Sequence, residues 1–292
     1  MPVDHEIDSR NENIQIYING SFYHRDEAKI SVYDSGFLMG DGIWEGLRLV
    51  NNKWIFIDEH IDRLFEGCKA IDLDIKMTKE DIVNALDETK AINNMSNEVH
   101  ARLMITRGNK TKPFQQPHLS DSGINIVIIM EHSKPSIDVK NITMVTVPQV
   151  RGMPMSQDPK LNSHSKLNCI LACIQANKLG ADEALMLDPL GFVNTTNSCN
   201  FFIVKNNQVW TSTGDYCMNG VTRQNIINLC KENDIPIYEK NFSLVDVYSA
   251  DEAFITGTLG SITNVISIDN RKIGIDSNPV TDTLRKYYKK LL

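Results

Sequence analysis

Two short segments carry the residue types that hold a phosphate or a similar anion. Gly220-Val-Thr-Arg223 stands immediately before a helical pattern. Its backbone N–H groups and the Thr222 hydroxyl would meet an anion at the positive end of a helix dipole. The same threonine also reads as a simple helix cap. Thr256-Gly-Thr-Leu-Gly-Ser261 is a small-residue turn after a strand pattern. Such a turn lets backbone donors approach a ligand closely. Arg63, in His60-Ile-Asp-Arg63-Leu64, lies at the edge of an apolar helical stripe, where a solvated arginine is the ordinary outcome. An arginine and two N–H-rich turns would together make one phosphate cup. Neither segment matches a Walker or dinucleotide fingerprint, so neither ATP nor NAD is implied.

Composition narrows the setting for that chemistry. The 292 residues carry 30 basic and 37 acidic side chains, a net charge of −7. A nucleic-acid binder would show a basic surplus, and the basic cluster here is a short tail, Arg285, Lys286, Lys289 and Lys290. The anionic surface also argues against adsorption to anionic membranes. No apolar run nears the roughly 20 residues of a membrane-spanning helix, and no secretory signal is visible, so a cytoplasmic location is expected. The six cysteines are scattered without a CxxC pair, which predicts reduced thiols and no metal site. Cys169 and Cys173, four apart on one helix, read as core packing.

Periodicity supplies the elements that must position these groups. Ile14–Ile18 alternates, Asn19-Gly20 signals a hairpin, and Ser21–Tyr23 returns. Leu47–Val50 and Trp54–Ile57 read as a second strand–turn–strand. Asp58 is the expected N-cap of a helix over 59–70, with Ile61, Leu64 and Phe65 on one face. Thr78-Lys-Glu-Asp81 resembles a capping box opening a helix to 92. Strands are expected at 100–106, 124–130, 142–147, 183–187, 200–205 and 252–256. Helices are expected at 167–178, closed by Gly180, and at 222–233 and 244–250. The polar, Pro-containing stretch 132–139 reads as a linker between a small N-terminal α/β domain, 1–131, and a larger C-terminal domain, 140–292. Tight turns between several strands favour an α/β (α+β) protein with mixed sheets over one doubly wound parallel sheet.

Four motifs occur in order: Asp41-Gly-Ile-Trp-Glu-Gly-Leu-Arg48, Glu59-His-Ile-Asp-Arg-Leu64, Gly220-Val-Thr-Arg223 and Ala250-Asp-Glu-Ala-Phe-Ile-Thr-Gly-Thr258, with Gly191-Phe-Val between them. The set resembles the class IV aminotransferases, the fold-type IV pyridoxal-phosphate enzymes. It covers about residues 14–275. The resemblance implies two α/β domains with pyridoxal 5'-phosphate in the cleft between them, a homodimer, and an amino group moved between an amino acid or amine and a 2-keto acid. It implies Arg63, Val221, Thr222 and Thr258 as binders of the cofactor phosphate, Thr195, Asn200 and Gly257 as further cofactor-binding residues, and Phe37, Arg102 and Leu259 at the substrate. A lyase of the aminodeoxychorismate type and a catalytically inactive phosphate-ligand binder share the scaffold as alternatives.

The departures from the family are specific. Counting back from Leu171-Ala172 puts Asn162 where the family has its Schiff-base lysine. A doubled Lys-Leu-Asn flanks it, so Lys160 and Lys166 both remain candidates. Residues 160 and 162 would share one strand face. Thr195 replaces a glutamate that keeps the pyridine ring protonated, and a hydroxyl supplies no charge. No carboxylate stands within 192–200 to substitute, and Asn194, Asn197 and Asn200 are the nearby polar candidates. Arg102 matches an arginine that branched-chain enzymes use near a carboxylate, although the tyrosine before it is His100. Lys112-Pro-Phe114 lacks the Arg-x-His trap of D-amino-acid transaminases, and Phe37 replaces their tyrosine, which disfavours that specificity. Arg48 and Arg107 belong to strands of the small domain.

Overall fold

The computed structural model describes residues 8–133, 141–274 and 277–292. They fall into two compact units. The first is built from residues 8–133 together with Asn162–Lys166, and the second from 141–161 and the chain from Leu167 onward. Most of the expected linker, 134–139, lies outside the described residues.

In the first unit the strands are β1 (Gln15–Ile18), β2 (Ser21–His24), β3 (Gly42–Val50), β4 (Lys53–Trp54), β5 (Val99–Thr106) and β6 (Asn125–His132). They form one antiparallel sheet in the order β2-β1-β6-β5-β3-β4. The helices are α1 (Ser35–Met39), α2 (Ile57–Ala70) and α3 (Lys79–Ile92). The β1–β2 hairpin turns at Asn19-Gly20, both with positive φ, as an Asn-Gly pair favours. Alternation sends Ile43, Leu47 and Leu49 of β3 into the same core as Ile61, Leu64 and Cys68 of α2. The capping box at Thr78 and Asp81 is present.

The start of α2 differs from expectation. Residues 55–57 do not extend a strand, and Asp58 is not the cap. Phe56 is the N-cap, in the left-handed region at φ 54° with no side-chain cap bond. Asp58 and Glu59 instead fill the first turn, where carboxylates favour the dipole.

The second unit contains β7 (Ile142–Thr146), β8 (Glu183–Leu187), β9 (Val193–Thr196), β10 (Asn200–Lys205), β11 (Gln208–Thr211), β12 (Ile237–Glu239), β13 (Glu252–Gly257), β14 (Ser261–Ile268) and β15 (Arg271–Lys272). Its helices are α4 (Leu167–Lys178), α5 (Val221–Glu232), α6 (Leu244–Tyr248) and α7 (Pro279–Lys289). The sheet is mixed: β7 runs parallel to β8 and β14, and β11 parallel to β12, while the other pairs are antiparallel. Because β9 pairs with both β8 and β10, the path β10-β13-β14-β7-β8-β9 closes into a ring. Phe201, Ile203, Ala253, Ile255 and Val265 share one apolar cluster. On the other face Phe202 stacks on Phe254, ring centroids 4.9 Å apart. Glu252 accepts bonds from the Val280 and Thr281 amides and so fixes the start of α7.

All six cysteines are free thiols. Cys169 packs in the interior and Cys173 is half-buried. Among the described residues no helix is long and apolar enough to cross a membrane.

Leu103 is fully buried on β5, a central strand of the first sheet. Leu103→Ala is expected to lower unfolding stability by about 3 kcal/mol, read as a fall in the urea midpoint.

Candidate functional site

The first unit presents a polar face on β3 and its neighbours. Trp44, Gly46 and Arg48 alternate with the core residues of β3, and pair across the ladder with Met104, Arg102 and His100 of β5. Paired residues share a face. The Arg102 guanidinium stacks on Trp44, 4.0 Å from the ring centroid, and Lys166 Nζ lies 5.7 Å from the same ring. Burial and the charge of Arg102 push the His100 imidazole down to about 4. That ring is therefore neutral beside a cation at neutral pH. Arg48 is buried on this face.

The segment Asn162–Lys166 lies along the edge of β3. Trp44 N donates to Asn162 O at 3.0 Å and His164 N donates to Gly42 O at 2.9 Å. Ile43 and Ser163 form the bridge between these bonds. The Trp44 indole N–H donates to Ser163 O at 3.2 Å, and Asn162 Nδ2 to Trp44 O at 2.6 Å. Asn162 Oδ1 and His164 Nε2 are buried with no hydrogen-bond partner. Lys166 is half-buried, whereas Lys160 is exposed. Lys160 does not share a strand face with Asn162: its backbone N–H donates to Asp158 Oδ1 in a turn.

Arg63 does not project freely into solvent. Its Nε and Nη2 donate to Glu45 Oε1 and Oε2 at 2.8 and 2.7 Å, and His60 Nδ1 lies 2.8 Å from the same carboxylate. Glu45 is fully buried. Burial pushes its carboxyl up, but Arg63 and His60 outweigh that and hold it below the usual range. Sequence reasoning passed over Glu45 and His60. The signal was strand parity, which sets Glu45 among Ile43, Leu47 and Leu49 on the inward face, where a carboxylate requires a cation. Of the other arginines, Arg107 is bound to Asp41 at 2.8 Å. Phe37 on α1 is 68% exposed, and Lys112 is exposed too.

In the second unit, ring closure aligns three side chains. Asn200 is paired with Thr195 on one side and Thr256 on the other. Asn200 Nδ2 donates to Met218 O at 2.9 Å, and Thr195 Oγ1 donates to Cys199 O at 2.6 Å. Thr256 Oγ1 is buried without a partner. α5 begins beside this row. Its N-cap is Gly220, and a Cβ at that position would lie 2.4 Å from Asn200 Oδ1. Thr222 is therefore not the cap but a buried residue of the first turn. Val221 starts the helix, and Gly257 pairs with Ser261 around the half-buried turn residues Thr258 and Leu259. Arg223, buried, donates to Ser212 O and Glu239 and ties α5 to the sheet.

The substitutes for the family's glutamate are occupied elsewhere. Asn194 donates to Tyr216 O at 2.7 Å and Asn197 accepts from Ala184 N at 2.8 Å. A buried carboxylate does come near from β8: Glu183 accepts from Thr196 at 2.7 Å and Ser198 at 2.6 Å. Thr196 and Thr195 point to opposite faces, so Glu183 braces the turn and does not replace the missing charge.

The model of "Amino-transferase class IV" matches residues 42–268. The chain is 36% identical over 283 residues to branched-chain-amino-acid aminotransferase-like protein 2 of Arabidopsis thaliana, covering 96% of this chain and 51% of that protein. It thus spans about half the length of that relative. It is 37% identical over 287 residues to the putative branched-chain-amino-acid aminotransferase of Methanocaldococcus jannaschii, covering 94% of this chain and 96% of that one. Among solved structures, it resembles the branched-chain aminotransferase of the thermophilic archaeon Thermoproteus uzoniensis with norvaline. That likeness has a TM-score of 0.87 and 26% identity, with 95% and 94% of the two chains covered. The fold is that of the fold-type IV aminotransferases.

The His100 shift sets a pH dependence. Its pKa in the fold, about 4, lies below the ordinary 6.5, so only the unfolded chain takes up a proton between those values. Stability therefore falls as pH drops from 6.5 toward 4. His100→Gln is expected to recover roughly 1–2 kcal/mol of that loss, measured by urea unfolding at about pH 7 and about pH 4.5.

Proposed function

The chain belongs to the class IV aminotransferase family, and on that premise we propose that it moves an amino group between an amino acid and a 2-keto acid with pyridoxal 5'-phosphate. The observation that carries the reading is the cradle at the start of α5. There a glycine is required by the approach of Asn200 Oδ1, and a buried hydroxyl, Thr256 Oγ1, lacks a partner. Small residues, first-turn N–H groups and an orphaned hydroxyl fit a phosphate ester. Val221, Thr222, Gly257 and Thr258 bind it in the second unit. Thr195 and Asn200 take the ring.

When bound, the cofactor supplies the electron sink that makes the α-proton of an amino acid removable. Lys166 Nζ would be the amine that holds the cofactor's aldehyde carbon and, as the neutral amine, would take up and return that proton. Half-burial beside Trp44 supports Lys166 over exposed Lys160. Arg102 receives the substrate carboxylate, its planar fork held against Trp44. Phe37 is a further substrate contact in the first unit. Thr195 donates its proton to Cys199 O and adds no charge, which favours a slow transamination.

The protein acts as a homodimer. Leu167, Ile170, Leu171 and Ile174 form an exposed i, i+3, i+4, i+7 stripe on α4, while Cys169, Ala172 and Ala176 fill its inner face. A second copy would cover that stripe. Light scattering is expected to give a dimer for the wild type and a monomer for the Leu171→Asp/Ile174→Glu double variant. A monomeric wild type would refute this part.

The chemistry is tested by loading the protein with pyridoxal phosphate, reducing with borohydride and mapping the labelled peptide. A label on Lys166 is expected. A label on Lys160 moves the role to that residue, and no labelled lysine overturns the catalytic reading in favour of a phosphate-ligand binder. Release of pyruvate from a single amino substrate, with no keto-acid acceptor, identifies a lyase instead.

A further inference from the structure

We infer that the first unit carries a recognition site for a primary amine, built on Asn162 Oδ1, which holds the aminated (pyridoxamine) form of the ligand without a covalent bond. The inference rests on the functional reading above and assigns a role to a residue that reading leaves unused.

The amide of Asn162 cannot turn freely. Its nitrogen donates to Trp44 O at 2.6 Å, while its own backbone carbonyl accepts from Trp44 N at 3.0 Å. The side-chain oxygen is therefore fixed on the other side of the amide. The residue is only 4% exposed, and that oxygen has no donor. A buried acceptor without a partner is unfavourable and rare, and it is met by a ligand or an ordered water. A carbonyl oxygen accepts hydrogen bonds and repels anions, so the ligand atom must be a donor.

Two further features choose an amine on an anionic molecule. His164, two residues along the same extended segment, leaves Nε2 buried and unpartnered. Burial holds this imidazole below its ordinary pKa, so the ring is neutral and the open nitrogen is a second acceptor. Alternation places residues 162 and 164 on one side of the segment. Two cations stand beside them: Arg102 against Trp44, and Lys166 5.7 Å from that ring. Acceptors for N–H flanked by cations for phosphate or carboxylate suit a ligand with an amino group on an anionic body. The lysine that the family carries at this position would instead present a donor.

The direct test compares two phosphorylated ligands by calorimetry on the full chain. Pyridoxamine 5'-phosphate carries an aminomethyl group, and 4'-deoxypyridoxine 5'-phosphate has a methyl group in its place. The wild type is expected to bind the amine at least about tenfold more tightly than the methyl analogue, as expected of a hydrogen bond to a charged donor. Asn162→Leu, near in volume, is expected to bring the ratio toward one while leaving the affinity for the methyl analogue within about twofold. Equal affinities in the wild type overturn the inference without any variant. A ratio unchanged in folded Asn162→Leu, checked by circular dichroism, also overturns it. Failure of both ligands to bind the wild type removes the functional reading and the amine site together, whereas equal binding of both removes only the amine site.

Discussion

The pairing of Asn162–Lys166 with the edge of β3 is the contact on which the first unit's polar face depends. A strand edge offers N–H and C=O groups that must find partners. Here a short segment from far along the chain supplies them: Trp44 N meets Asn162 O, and Gly42 O meets His164 N. The approach demands small residues on the β3 side. A Cβ on Gly40 would lie 2.3 Å from Ser165 Oγ, and one on Gly42 2.9 Å from His164 Cδ2. Gly40 also has φ +69°, which glycine adopts at no steric cost. Once the segment is seated, Asn162 and His164 are held at that edge.

The same strand serves two environments through its period of two. Ile43, Glu45, Leu47 and Leu49 go inward against α2, and Trp44, Gly46 and Arg48 go to the polar face. Glu45 is the one charged member of the inward set, and its burial is offset by two basic groups from successive turns of α2, His60 and Arg63. Removing either partner would leave a buried carboxylate short of donors. On the polar face the logic is reversed: Arg102 and Lys166 remain partly hydrated, while His100 beside them is kept neutral by burial.

Much of this was legible along the chain. The ranges of α4, β8 and β10 follow directly from helical and strand periodicity, with Gly180 at φ +74° closing α4 as a helix-ending glycine does. The phosphate-binding candidates lie at a helix start and a tight hairpin, as their residue types require. What periodicity misses is non-local or locally unfavourable. Phe56 adopts a positive φ that no propensity suggests for an aromatic residue. The Thr195–Asn200–Thr256 row exists only because β9 closes the ring onto β10. Lys160 and Lys166 stand in the same tripeptide, so sequence gives them equal standing; a turn at Asp158 and the edge of β3 separate them.

The two positions at which the family carries buried charge are both neutral here, and both are tied to backbone: Asn162 to Trp44 O and Thr195 to Cys199 O. A buried ion without its partner is far more unfavourable than a buried amide or hydroxyl with one hydrogen bond. A chain built this way can keep its polar site folded without a bound counter-charge. Of the cations that remain, Arg63, Arg102 and Lys166 sit where water still reaches them, and Arg48 is buried. On the proposed reading, Arg102 and Lys166 attract an anionic ligand, and discrimination comes from the direction of a few fixed acceptors, which reward a donor.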